Sequence, residues 1–365
     1  MKLAGQRCRK HHPKTMSVFR VEKNLIIRPE NVAASLARVF DHFEAMFADA
    51  QYERSFGIAG QRFRVRSCSD AYLSQADLAL ASTPNTDQPA TRIAVGIAGK
   101  GGFPTLTWGS QYFVERGVEA ALAKTRYRLH HFPEKSFWQL FDRQTGCGIQ
   151  IMPTEHGYPD WDPGSPLRNF LQWQLAKDGG ALIHAGSLAV DGRGVLLAGA
   201  GGSGKSGTVL SGILQGLQTV GDDYVFVNPV SLTAYPLFDT LKQDHVGLKR
   251  LQLNNHPAIP KRVNWQNKYQ FYLPDLGHKG PDHIQLGALL LPKITGAAKT
   301  TLTITTAKEA FLALAPSGVS QIPGDRPLLY SVAAEISRRL PCYRLDLGPD
   351  PTEITRAIRH YIAEF

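Results

Sequence analysis

The chain has 365 residues, 43% of them hydrophobic and 20% charged, the proportions of a globular protein with room for two domains. It holds no apolar run of 18 residues, so no spanning helix is predicted, and its first residues lack the apolar core and cleavage site of a secretory signal; a cytoplasmic protein is expected. The net charge of +10 favours anionic partners, and Cys8, Cys68, Cys147 and Cys342 form no C-x-x-C pair, which argues against a structural zinc site and fits a reduced cytosol.

Lys2, Arg7, Arg9, Lys10 and Lys14 all precede the first acid, Glu22, which predicts a solvated basic tail over residues 1–15. No aromatic residues interleave these bases, so a nucleic-acid platform is disfavoured. Residues 16–155 read as a mixed α+β domain. Val32, Leu36, Val39, Phe40, Phe43 and Phe47 recur at helical spacing, which predicts one amphipathic helix over 31–50. Alternation over 62–66 predicts a half-buried strand. A short helix is expected over 71–82, a turn over 83–88 and a strand over 92–97. Gly99, Gly101 and Gly102 form a loop without phosphate chemistry. Strands are expected over 126–131 and within 137–151, with a turn at 142–146.

Prolines 153, 159, 163 and 166 mark a domain boundary, and residues 156–365 read as an α/β domain. Ser165 is placed to cap a helix over 167–176, with Pro166 at its first position. A strand is expected over 181–190, with a hairpin turn at 191–194. The apolar run from Val195 then enters Gly199-Ala200-Gly201-Gly202-Ser203-Gly204-Lys205-Ser206, which fits G-x-x-x-x-G-K-[ST], the phosphate loop. Its glycines, with Gly207 following, let main-chain N–H groups turn toward phosphates, and the helix expected over 205–217 adds its N-terminal dipole. Lys205 supplies a positive charge to the β/γ-phosphates and Ser206 a hydroxyl for Mg²⁺.

The same glycines fit the dinucleotide fingerprint G-x-G-x-x-G. Lys205-Ser206 would be superfluous there, and the acids that follow precede the next strand, 224–227, instead of closing it. Those acids are Asp222 and Asp223, placed to hold Mg²⁺ and to take a proton from an acceptor hydroxyl. His184 lies on an apolar strand, where a lone histidine is ordinarily a core residue; Lys242, after the aromatic stretch 235–241, is either a surface lysine or a phosphate contact. His245, Lys249 and Arg250 are weaker candidates. Strands are further expected over 286–291, 300–305 and 341–347, and helices over 308–314, 328–340 and 352–365.

The run 182–227 resembles the catalytic domain of HPr kinase/phosphorylase and related kinases. The shared pattern is His184-Ala185-Gly186, a turn, Gly194-Val195-Leu196-Leu197, the phosphate loop, a helix and Gly221-Asp222-Asp223-Tyr224. The likeness to the HPr kinase-related proteins, which include kinases of peptide-modification clusters, takes in 161–170, 291–296, 314–317 and 341–348 as well. It implies a phosphoenolpyruvate-carboxykinase-like nucleotide fold, ATP and Mg²⁺ as cofactors, and phosphoryl transfer to a hydroxyl, often a serine. It places Lys205 and Ser206 on phosphate and metal, Asp222 as base, Asp223 as metal-site partner and His184 near the transferred phosphate. The Arg-Gly-Ile-Gly and Gly-Arg-Asn signatures of HPr kinase proper are absent, so HPr as acceptor, the reverse phosphorylase reaction and a hexamer are not implied; a homo-oligomer is compatible with the sequence. The expected function is therefore a kinase acting on a peptide, protein or small-molecule hydroxyl. The alternatives are a non-catalytic ATP-binding regulator and a nucleic-acid ATPase, though the latter would want a strand ending in Asp-Glu.

Overall fold

A computed structural model describes residues 24–83, 90–109 and 115–365; the basic tail, Cys8 and most of the turn expected at 83–88 lie outside the described residues. The first half runs β1 (Asn24–Ile27), α1 (Val32–Phe40), α2 (Phe43–Asp49), β2 (Tyr52–Ile58), β3 (Gln61–Ser67), α3 (Asp70–Ala79), β4 (Thr91–Ile97), β5 (Thr105–Trp108), α4 (Glu115–Leu122), β6 (Tyr127–Phe132), β7 (Phe137–Asp142) and β8 (Cys147–Met152). The helical periodicity over 31–50 is real but belongs to two helices. The His42 N–H bonds the Val39 carbonyl, a short-range bond that tightens the end of α1 and re-aims the chain. Both helices then bury Leu36, Val39, Phe43, Met46 and Phe47 in one cluster.

Among the described residues, six strands of this half form one mixed sheet in the order β2-β3-β4-β8-β7-β6. The β2–β3 hairpin turns on Ala59 and Gly60, both at positive φ (49° and 75°), the pair of signs that matches strand twist. Ser69 Oγ accepts from the Tyr72 N–H and caps α3, which carries the chain over to β4, parallel to β3. The β6–β7–β8 meander follows the predicted strands, and β6 is left at the sheet's edge.

The second half runs α5 (Arg168–Leu175), β9 (Ala181–Ile183), β10 (Gly186–Val190), β11 (Arg193–Leu197), α6 (Lys205–Leu214), β12 (Val225–Asn228), β13 (Thr233–Pro236), β14 (Thr240–Gln243), α7 (His245–Arg250), β15 (Tyr269–Tyr272), β16 (Ile284–Ile294), β17 (Thr301–Ile304), α8 (Ala307–Gln321), α9 (Arg326–Arg339), β18 (Cys342–Leu347) and α10 (Pro351–Ala363). Its main sheet has the order β10-β11-β16-β13-β12-β9, with β18 on the far part of β16 and β17 on β18. β16 runs parallel to both β11 and β18, which pair with it. The chain is thus a mixed α/β protein. No described helix is long and apolar enough to cross a membrane.

Three local expectations are corrected. Ser165 does not cap α5: Leu167 occupies that position at φ 59°, and Ser165 Oγ donates back to the Trp161 carbonyl. The strand over 181–190 breaks at His184, where the Ala185 N–H bonds the Ile183 carbonyl (3.0 Å) across a three-residue turn; β9 then pairs with β12 and β10 with β11. α6 stops at Leu214, short of 217, in a Schellman closure: Gly216 has φ 79°, its N–H bonds Ile213 O, and the Leu217 N–H bonds Gly212 O (both 2.9 Å).

α5 lies between the two sheets and is buried on nearly every side. Phe170 and Trp173 pack on Phe141 of the first sheet, and the same apolar cluster continues through Leu182, Val225 and Leu289 of the second. Several of its polar groups are paired: Asn169 Nδ2 donates to Gln139 Oε1, Gln172 Oε1 accepts from the Leu182 N–H, and Trp173 Nε1 donates to Pro323 O, whereas Asn169 Oδ1 and Arg168 Nε have no hydrogen-bond partner among the described residues.

Candidate active site

Val195, Leu196 and Leu197 are fully buried, and the chain leaves β11 for the loop after the Ala198 N–H bonds Leu290 O. The loop ends at Gly204, φ 103°, where an added Cβ would stand 2.4 Å from Leu347 Cδ1. That conformation strongly favours glycine, and a larger residue would also have to push Leu347 Cδ1 aside. α6 begins at Lys205. The Lys205 side chain is buried and folds back so that Nζ donates to the carbonyls of Gly199 and Ala200, 3.2 Å to the latter. Burial lowers its pKa, and the charges of Asp222 and Asp223 oppose that shift.

Asp222 and Asp223 precede β12, next to β9. Asp222 is 4% exposed, and burial together with the neighbouring Asp223 charge pushes its pKa up to about 6. The Ser206 hydroxyl lies against its carboxylate and favours ionisation, as do the charges of Lys205 and Lys268. Its Oδ1 has no hydrogen-bond partner. Asp223 is differently placed. His184 Nε2 donates to its Oδ1 at 3.0 Å and Lys242 Nζ to its Oδ2 at 2.8 Å. Burial works against ionisation there too, but Lys242 and His184 outweigh it and hold the carboxyl well below the usual range.

The turn at His184 brings its ring beside Asp223, which a continuous strand would not. The His184 ring packs at 5.4 Å from that of Tyr224, whose hydroxyl accepts from Arg168 Nη1 at 2.9 Å, and the Arg168 guanidinium covers Trp161 at 4.2 Å. Lys242 reaches in from β14. The structure therefore gathers Ala200 to Gly207, Asp222, Asp223, His184 and Lys242 around one cavity of about 1120 Å³, with Gly199 at its base beneath Lys205. Of the weaker candidates, Arg250 reaches the cavity and His245 and Lys249 do not. Lys268, Trp265 and Arg168 also line it. Lys268 and Trp265 carry no sequence signal, because they sit on a connection between β14 and β15 with no recognisable pattern.

Among the described residues, no three His, Cys, Asp or Glu side chains gather to hold a metal unaided. The residues nevertheless fit Mg²⁺, which takes only one or two oxygens from protein and completes its shell with phosphate and water. Ser206 and Asp222 offer two adjacent hard oxygens, one of them an unpartnered buried carboxylate atom.

No protein-family model matches the chain, and no curated protein matches it. Among solved structures it is similar to the HPr(Ser) kinase/phosphatase from Coxiella burnetii, at 15% identity and a TM-score of 0.26, over 50% of this chain and 97% of that one. At that level the likeness leaves the site to be read from its own geometry.

Proposed function

We propose that this chain is an ATP- and Mg²⁺-dependent phosphotransferase acting on a hydroxyl. The observation that supports it is that loop residues 200–206 and the cluster Asp222, Asp223, His184 and Lys242 border the same cavity. Phosphoryl transfer is mainly positioning and charge neutralisation, and these residues supply both. The loop's amides and the start of α6 cradle the phosphates. Lys205 exchanges its two carbonyl partners for phosphate oxygens, which meet a desolvated cation more strongly than neutral carbonyls do. Ser206 and Asp222 would hold Mg²⁺, which supplies charge neutralisation across the phosphates.

The resemblance assigns the base to Asp222 and the metal to Asp223; the surroundings of the two carboxylates favour the reverse. A cation held against Ser206 occupies the Asp222 carboxylate, which is then not free to take a proton. Asp223 is 27% exposed and faces the cavity. When Lys242 turns to a phosphate, Asp223 Oδ2 is freed to receive the acceptor's hydroxyl proton, while His184 keeps the carboxylate oriented through Oδ1. A non-catalytic ATP-binding protein would have no use for this second cluster.

The test is transfer from γ-labelled ATP to hydroxyl acceptors by the purified protein, beside calorimetric nucleotide binding. Lys205→Ala is expected to lose nucleotide binding. Asp223→Asn is expected to bind Mg·ATP within about threefold of wild type and to lose 10²–10⁴-fold in transfer, the usual worth of an acid–base group. Wild-type protein that binds no nucleotide, or an Asp223→Asn variant with undiminished transfer, would overturn the reading.

A further inference from the structure

The cavity has a second wall that phosphate chemistry does not use. It is formed by β6, which pairs only with β7 among the described strands. The Arg143 N–H bonds the Arg126 carbonyl at 2.9 Å, and antiparallel pairing alternates from there. Arg128, His130 and Phe132 therefore exchange bonds with β7, whereas Tyr127, Leu129 and His131 direct N–H and C=O away from the sheet. Tyr127 is satisfied locally: its N–H donates to Thr125 Oγ1 (3.2 Å) and its carbonyl accepts from Arg128 Nη1 (2.8 Å). No described group bonds the outward main chain of Leu129 or His131.

These two residues border the cavity, and so do His130 and Phe132 from the opposite face of the strand. Side chains of both faces meet one cavity only when it lies along the strand's edge.

Building on the phosphotransferase reading, we propose that the acceptor is a peptide segment that binds in extended form as an added strand on the Leu129–His131 edge of β6. An outward donor and acceptor at every second residue is the main-chain repeat of an extended peptide, and small-molecule acceptors have no such repeat. Alternate side chains of the peptide then face Trp108 on one side and Trp161 on the other, both of which line the cavity. A serine or threonine of the segment is presented to Asp223. Its Oγ forms the new bond to the γ-phosphorus, the bond from that phosphorus to the ADP oxygen breaks, and the hydroxyl proton passes to Asp223.

The experiment uses the full chain, Mg·ATP carrying a γ-label and a positional-scanning library of nonapeptides with a central serine. The preferred nonapeptide is then remade with a single N-methyl group at each position in turn. An added strand predicts at least a tenfold fall in kcat/KM at alternate positions, with little change at those between. In parallel, His131→Pro removes an outward N–H without touching the β6–β7 bonds, and His131→Ala removes the same side chain while keeping that N–H. The proline variant is expected to show the higher peptide KM, by about tenfold over the alanine variant, with the Kd for ATP held. Should the proline variant not fold, the N-methyl series on wild-type protein decides alone. Equal sensitivity at adjacent positions, or none, overturns the proposal. So does a library with no phosphorylated member beside a small-molecule hydroxyl that is phosphorylated, an outcome that leaves the phosphotransferase reading standing; absence of nucleotide binding ends both.

Discussion

Two neighbouring aspartates of identical chemistry meet opposite fates in this fold. Asp222 points inward, loses water and keeps one oxygen without a partner; Asp223 faces the cavity and is gripped by Lys242 and His184. For Asp222 the folded pKa rises from 3.8 to about 6, so the folded protein holds that proton more tightly than the unfolded chain. The corresponding stability is present below pH 4 and is lost as pH rises through 6. At pH 8 the buried charge costs on the order of 3 kcal/mol. Asp222→Asn should therefore raise the melting temperature of the nucleotide-free protein at pH 8, and the gain should shrink toward pH 5, while Mg²⁺-dependent transfer is lost. Thermal scans at the two pH values check this; an equal shift at both would mean that burial of the charge is not the cause.

At the scale of single elements, the site is made by ends and turns. β11 delivers the loop, α6 begins where the loop closes, and the three-residue turn at His184 redirects a predicted strand so that its histidine meets Asp223. At Gly204 the φ of 103° strains any side-chain-bearing residue, and an added Cβ would also require Leu347 Cδ1, 2.4 Å away, to shift. Gly204→Ala should displace Leu347 or distort the first turn of α6. A tenfold or larger loss of nucleotide affinity is expected, with the circular dichroism spectrum retained; calorimetric titration with ATP reads it, and unchanged affinity would show that the loop tolerates another conformation. The glycine-rich loop before α6 and the aspartate pair before β12 were legible as neighbours of those elements because their spacing is local. The turn at His184 was not, because 181–190 is apolar throughout, and only the competing pairings of β9 with β12 and β10 with β11 break it. The cap expected from Ser165 failed for a related reason: burial of α5 on almost all faces decided where its first turn could sit.

Across the whole molecule, α5 joins the two sheets through one apolar cluster. Trp173 is fully buried in it, stacks on Phe141 and donates to Pro323 O. Trp173→Ala should cost about 3–5 kcal/mol, the usual price of a large aromatic in a core. Because the cluster spans both sheets, the loss should appear as one shifted transition in urea by far-UV circular dichroism and by tryptophan fluorescence alike. Two separated transitions would mean that the halves unfold independently.

The amino-acid sequence by itself determined the mixed α/β class, many strands and helices to within a few residues, and the positions of the glycine-rich loop 199–206 and the acidic pair that follows it. These depend on periodicity and on contacts between residues close in the chain. Only the tertiary structure decided which aspartate stands against Ser206, that Lys242 and His184 share Asp223, and that Leu129 to Phe132 of β6 line the same cavity. Those relations join segments far apart in sequence, and burial and strand pairing, which set them, act across the whole folded chain.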